Sequence, residues 1–171
     1  MQWVEFVNLG WWAFLIRWLH IISGVMWFGH LWYFNFTQTP TMPKIPAELR
    51  PAVVRYILPE ALFWFRWGAM FTLIFGLILA WLLGFIGQAL SLGIGQHDLH
   101  FTLIGFGMWL GTIMFLNVWL IIWPNQQKAL GLVEAGADEK KKAARVAMLA
   151  SRTNTMLSIP MVYGMVSTHF Y

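Results

Sequence analysis

Five histidines and a few polar groups set in apolar surroundings are the residues of this chain best suited to chemistry. Arg17, His20, Gly24 and Trp27 recur at steps of three and four, a spacing that puts their side chains on one helix face. Neutral imidazole is the usual axial ligand of b-type haem, and two facing helices can supply a pair. In that arrangement His20 holds the iron, and Gly24, one turn inward, leaves room for the macrocycle. Arg17, one turn outward, pairs with a propionate. From a helix start near Trp11, His20 lies about 13 Å along the axis. His100 and His169 fall at the same end of their own apolar segments. They are the candidates for the second iron ligand, with His169 preferred. His97 reads as a wetted loop residue, and His30 lies at the opposite end. Met161 and Met165 share a face with His169, but methionine more often fills gaps than binds metal. No close histidine pair lies within one apolar segment, so copper or another bare metal is disfavoured. The plainer alternative is that His20 only hydrogen-bonds across neighbouring helices.

Such residues need elements to hold them. The chain is 59% hydrophobic and 11% charged over 171 residues, against about 25% charged in an ordinary soluble domain. Positions 18–43 hold no ionisable groups but His20, His30 and Tyr33, 67–96 and 101–127 hold none, and 153–171 only His169 and two tyrosines. Roughly 20 apolar residues cross a bilayer. The expected fold is therefore all-α, a polytopic integral membrane four-helix bundle forming one domain over 1–171. Its helices are expected near 11–37, 64–90, 99–123 and 152–170, without a cleaved signal peptide. The absence of Cys excludes a covalent c-type haem, an iron–sulfur cluster and thiolate chemistry.

The net charge of +4 could suggest nucleic acid, but its placement does not. Lys44, Arg50, Arg55 and Arg66 fall in the first loop, and Lys128, Lys140, Lys141, Lys142, Arg145 and Arg152 in the third. Only Arg17 lies elsewhere. Basic loops stay cytoplasmic, so both termini are expected in the periplasm, with the chain in a bacterial inner membrane. The bilayer is then its first partner. Trp3, Trp11 and Trp12 form an outer aromatic belt, and Trp119 and Trp123 an inner one.

Gly68, Thr72, Gly76, Ala80 and Gly84 recur every fourth residue, a stripe that lets two backbones approach. Packing inside the bundle is preferred to a subunit interface. Prolines at 40, 43, 46, 51 and 59 suggest a short interfacial helix over 47–58. Residues 137–151 read as an amphipathic helix running into the fourth span, where Pro160 should kink it near Met156. Thr153, Asn154, Thr155 and Ser158 should meet Asn117 and Asn125.

Four stretches carry a family resemblance. They are RWLHIISGVMWFGH at 17–30, EALFWFRWGAM at 60–70, NVWLIIWPNQ at 117–126 and SRTNTMLSIPM at 151–161, followed by His169 and Phe170. Together they resemble the N-terminal membrane domain of bacterial cytochrome-c-linked urate oxidases. Longer members of that family continue into a cytochrome c domain with Cys-x-x-Cys-His. This chain reads as a short form whose electron acceptor is supplied by a partner. The first helix is also similar to that of b-haem-binding protoporphyrinogen oxidases, which implies His20 as the haem ligand.

Two functions follow. One is a redox module binding b-type haem near the periplasmic face. It would act with a periplasmic cytochrome, other protein subunits or a quinone. The other is a non-catalytic accessory subunit of a respiratory or photosynthetic complex.

Overall fold

A computed structural model describes residues 8–95 and 98–167. Among these the chain is helical with no strand. The first helix, α1 (Leu9–Trp32), is capped by Asn8, whose side chain accepts from the Trp11 N–H at 2.9 Å. It does not end near residue 37. A π-helical segment (Tyr33–Gln38), the single turn α2 (Thr39–Thr41) and a 3-10 turn (Met42–Lys44) carry it on. The next rod begins with the single turn α3 (Arg50–Ala52), passes through a second π segment (Val53–Ile57) and becomes α4 (Leu58–Leu82). The short α5 (Ile86–Leu90) follows. Next comes α6 (Leu99–Asn117), a third π segment (Val118–Ile122) and α7 (Trp123–Ala129). The last helix is α8 (Ala137–Ser167).

One physical cause accounts for all three π segments. A proline ring inside a helix collides with the carbonyl four residues earlier. That carbonyl belongs to Phe36 for Pro40, to Arg55 for Pro59 and to Leu120 for Pro124, and each lies in one of the π segments. Widening the turn by one residue lets the helix absorb the proline instead of stopping. The sequence expectation treated Pro40 and Pro59 as breaks. Consequently the separate interfacial helix over 47–58 gives way to a rod continuous from Arg50 to Leu82. Arg50 ties the bend before it, donating from Nε to the Ile45 carbonyl at 2.8 Å and from Nη2 to that of Pro43 at 3.0 Å. Pro160 leaves α8 unbroken.

The second rod ends earlier than residue 90. Gly84, at φ +75°, donates to Trp81 at 3.0 Å and Phe85 donates to Ala80 at 3.1 Å. This pair of bonds is the Schellman closure, which needs a left-handed residue. Gly84 therefore terminates α4 and does not belong to its packing stripe. The rest of the stripe faces inward as expected. A Cβ on Gly68 would lie 3.0 Å from the Trp27 backbone nitrogen, and Gly24 faces Thr72.

Helices pack in two close pairs, α1 on α4 and α6 on α8. The second pair crosses at two glycines: a Cβ on Gly164 would lie 3.1 Å from the Gly107 nitrogen. The pairs meet around Trp27, Leu31, Phe65, Met114, Val118 and Ile122, all buried. Outward residues such as Trp18, Ile21, Phe71 and Leu120 are exposed, as lipid-facing side chains must be.

Three rods, Leu9–Lys44, Arg50–Leu82 and Leu99–Ala129, are long and apolar enough to cross a membrane. The fourth expected span differs. The first half of α8 carries charge, including Asp138, Glu139 and Lys140 to Lys142. Its uncharged stretch from Thr153 to Ser167 covers about 22 Å and is lined with polar residues. At the charged end Lys128 binds Glu139 at 2.6 Å. That hydrogen bond, with the lysine charge behind it, holds the Glu139 carboxyl below its ordinary range.

Candidate functional site

His20 is the histidine that α1 and α4 enclose together. Its Nδ1–H donates to the Thr72 carbonyl of α4 at 2.8 Å. A carbonyl can only accept, so Nε2 is left as the basic nitrogen of the neutral ring. The ring rests in a notch made by Gly76. A Cβ there would fall 2.9 Å from Cε1 and 3.1 Å from Nδ1 of His20. Thr72 turns its own hydroxyl back to the Gly68 carbonyl at 2.6 Å, so only its backbone oxygen serves the imidazole.

The neighbours expected on this face take different roles. Arg17, one turn outward, is exposed. Gly24, one turn inward, is buried. A Cβ on it would meet Phe28 at 3.7 Å and Thr72 at 3.9 Å. Both are ordinary van der Waals distances, so an alanine would fit at this position. His100 stands in the first turn of α6. Its backbone N–H donates to the Asp98 cap at 2.9 Å, and its ring lies edge-on to Phe101. His30 donates from Nδ1 to the Met26 carbonyl of its own helix at 2.6 Å. Met161 and Met165 both pack on Gly107, between α6 and α8. Residues His97 and His169 lie outside the described residues, as does Trp3. Among the described residues no three histidine, aspartate or glutamate side chains converge to hold a metal ion.

This geometry makes a packing prediction. Gly76→Ala should push the imidazole off its notch and break the Thr72 bond, costing about 1–3 kcal/mol as overpacking does. Adding His20→Ala should recover part of that loss, because the two changes share one contact. Detergent–SDS unfolding of the four proteins of the cycle measures the coupling. Strict additivity would show that the ring does not sit on Gly76.

A second polar cluster lies deeper along α8. Asn117 donates to Asn154 Oδ1 at 2.7 Å and to the Ala150 carbonyl at 3.1 Å. Asn154, fully buried, donates to the Met114 carbonyl at 3.0 Å. Asn35 donates to Ser151 Oγ at 2.8 Å, and Trp32 Nε1 to Ser158 Oγ at 2.8 Å. The expected meeting of Asn117 with Asn154 is therefore present. Asn125 instead donates to Ile121 on its own rod, and Thr153 to Leu149 on its own helix. The contributions of Asn35 and Trp32 were missed. An amide set between two phenylalanines, Phe34 and Phe36, in an uncharged stretch was the available signal for Asn35.

Arg66 was also misplaced by sequence. Counted as a loop charge, it stands two turns inside α4 with Cζ 3.2 Å from the centre of the Trp123 ring.

Residues 99–171 match the family model described as urate oxidase N-terminal. No curated protein matches the chain, and no solved structure does.

Proposed function

We propose that this chain, whose residues 99–171 match the urate oxidase N-terminal family model, belongs to that family and is a membrane-embedded redox module of an oxidoreductase. The supporting observation is the division of labour on His20. Proteins commonly fix a metal-ligating histidine by committing its other nitrogen to a carbonyl or carboxylate. Thr72 does this for Nδ1, which fits Nε2 to be an axial ligand of b-type haem. Bound there, haem would supply reversible one-electron transfer. His20 would hold the iron, Arg17 would pair with a propionate, and His169 or His100 would supply a second ligand to the iron. Gly76 leaves the notch that holds the imidazole in one orientation. With no cysteine to attach a c-type haem, the chain would pass electrons to a partner, such as a periplasmic cytochrome, with a quinone as a possible donor.

In this reading α8 completes a four-helix bundle, both termini lie in the periplasm and the membrane is the bacterial inner one. With Arg66 set inside α4, nine of the eleven Lys and Arg residues still lie toward the side of loops one and three and support that orientation. Reporter fusions after Lys142 should read cytoplasmic, and fusions at Asp98 periplasmic. The opposite pattern would remove the outer-face placement of His20.

Titration of the purified protein with haem tests the function. A Soret band with a reduced alpha band is expected for wild type and for His30→Ala, and its loss for His20→Ala. A full Soret band in His20→Ala would show the site to be wrong. A folded, colourless wild type would favour a non-catalytic accessory subunit in which His20 only joins two helices.

A further inference from the structure

Among the described residues Arg66 is a cation without an anion. Its Nε and Nη1 are buried and make no hydrogen bond, while the guanidinium carbon stacks 3.2 Å from the centre of Trp123. Among the described residues Lys128 and Glu139 form the one ion pair, so no carboxylate meets Arg66. Trp119, four residues before Trp123, also has a buried Nε1 donor without an acceptor. Its ring meets Trp67, the residue after Arg66, edge-on at 5.9 Å. The contact between α4 and the α6–α7 rod thus presents several unmet donors. The buried amide oxygens of Asn117, Gln38 and Gln126 are unpaired too. They are neutral and supply no countercharge.

An arginine within a membrane span costs at least about 2.5–3.5 kcal/mol unless it finds a partner or reaches the interface. An oxyanion meets both needs, since the guanidinium fork matches two oxygens in one plane. We propose that Arg66 binds the phosphodiester of an anionic phospholipid in the leaflet facing the basic loops, with Trp119 and Trp123 forming the rest of the seat. Two observations favour a lipid over a free ion. From Leu82 back to Arg66 is about 24 Å at 1.5 Å per residue, which places Arg66 near one edge of a hydrocarbon core of about 30 Å. Phe63, Trp64 and Phe71 on α4, and Leu116 and Leu120 on the facing rod, are exposed apolar side chains that can lie along acyl chains. Basic pockets between spans on this side of a membrane are known seats for anionic head groups.

Native mass spectrometry of the full chain, with added phosphatidylglycerol, diacylglycerol or inorganic phosphate, tests the assignment. Wild type should retain one phosphatidylglycerol about tenfold more tightly than diacylglycerol, which lacks the phosphate; tenfold corresponds to about 1.4 kcal/mol. Arg66→Gln should erase that preference, and Arg66→Lys, which keeps charge but not the fork, should keep part of it. Should Arg66→Gln fail to fold, Trp119→Phe retains the ring, removes one donor and should weaken binding by about threefold. Equal retention of phosphatidylglycerol by wild type and Arg66→Gln, or by wild type and Trp119→Phe, would overturn the proposal. Displacement of the lipid by millimolar inorganic phosphate would overturn it in favour of a free-anion site.

Discussion

Gly164→Val is expected to separate α6 from α8 and leave little folded protein in mild detergent. A Cβ at this position would lie 2.9 Å from the Leu103 carbonyl oxygen, 3.1 Å from the Gly107 nitrogen and 3.2 Å from its Cα. All three are backbone atoms, so no side chain can swing aside. The facing glycine is equally closed, with the Met165 nitrogen at 3.2 Å and the Met161 carbonyl oxygen at 3.3 Å from its Cβ position. In lipid, close packing takes over much of the role that hydrophobic burial has in water, so a widened crossing is not compensated. Extra carbons in a packed core cost about 1–3 kcal/mol. Valine against rigid backbone belongs at or above the top of that range, a large part of a total stability of about 5–15 kcal/mol. Gly111→Ala is the control. No atom lies within 4 Å of its Cβ position, so the change should be neutral or stabilising by up to about 1 kcal/mol through helix propensity. Size-exclusion profiles and thermal unfolding compare the three proteins. A Gly164→Val protein that unfolds with wild type would show that the helices do not cross this closely.

The same glycines mark where sequence reasoning stops. Gly68, Thr72 and Gly76 could be read as an interface because they repeat every fourth residue. Gly107 repeats four residues on only at Gly111, whose Cβ position is open, Gly164 stands in no such repeat, and spacing does not show which small residue faces another helix. Gly84 fits the repeat by number alone. Its left-handed backbone ends the helix, a conformational demand that spacing does not express. The long uncharged stretches located three spans well, but their ends were misjudged at Pro40, Pro59 and Pro124. Proline is a stop signal for an ordinary α-helix, whereas a π turn at the opposed carbonyl removes the clash.

The candidate sites divide in the same way. His20 could be singled out because an ionisable group in an apolar helix needs a reason. Its partner is the backbone oxygen of Thr72, and residue types carry no trace of a carbonyl. Arg66 was hidden differently. As one of ten basic residues marking orientation it needed no further explanation, and only its stacking on Trp123 shows that it is inside a rod. The flanking Trp64 and Trp67 were the available hint.

Asn154→Ala should be the most costly change in the inner polar cluster. The side chain is fully buried; it donates to Met114 at 3.0 Å and accepts from Asn117 at 2.7 Å. Hydrogen bonds between membrane helices average about 0.6 kcal/mol each, because the unfolded chain also finds partners in the bilayer. Two of them account for only about 1 kcal/mol. The cavity adds a comparable amount, since the surroundings collapse only partly around deleted atoms. A loss of about 2–3 kcal/mol is therefore expected. Asn117→Leu should cost only about 1 kcal/mol and leave the fold intact. It removes two donated bonds but opens no cavity, and it also removes an amide oxygen that is buried without a donor. Because the two residues share one bond, the double variant should lose less than the sum of the singles. Unfolding in detergent–SDS mixtures gives the energies, and any electron-transfer activity can be followed on the same samples. If the cluster only packs helices, activity will track the folded fraction in all three variants. If Asn117→Leu stays folded and loses activity, the cluster is a site. Its place at the last residue of α6, where the helix widens into the π turn of Val118–Ile122, then has a functional meaning, since such turns often serve sites.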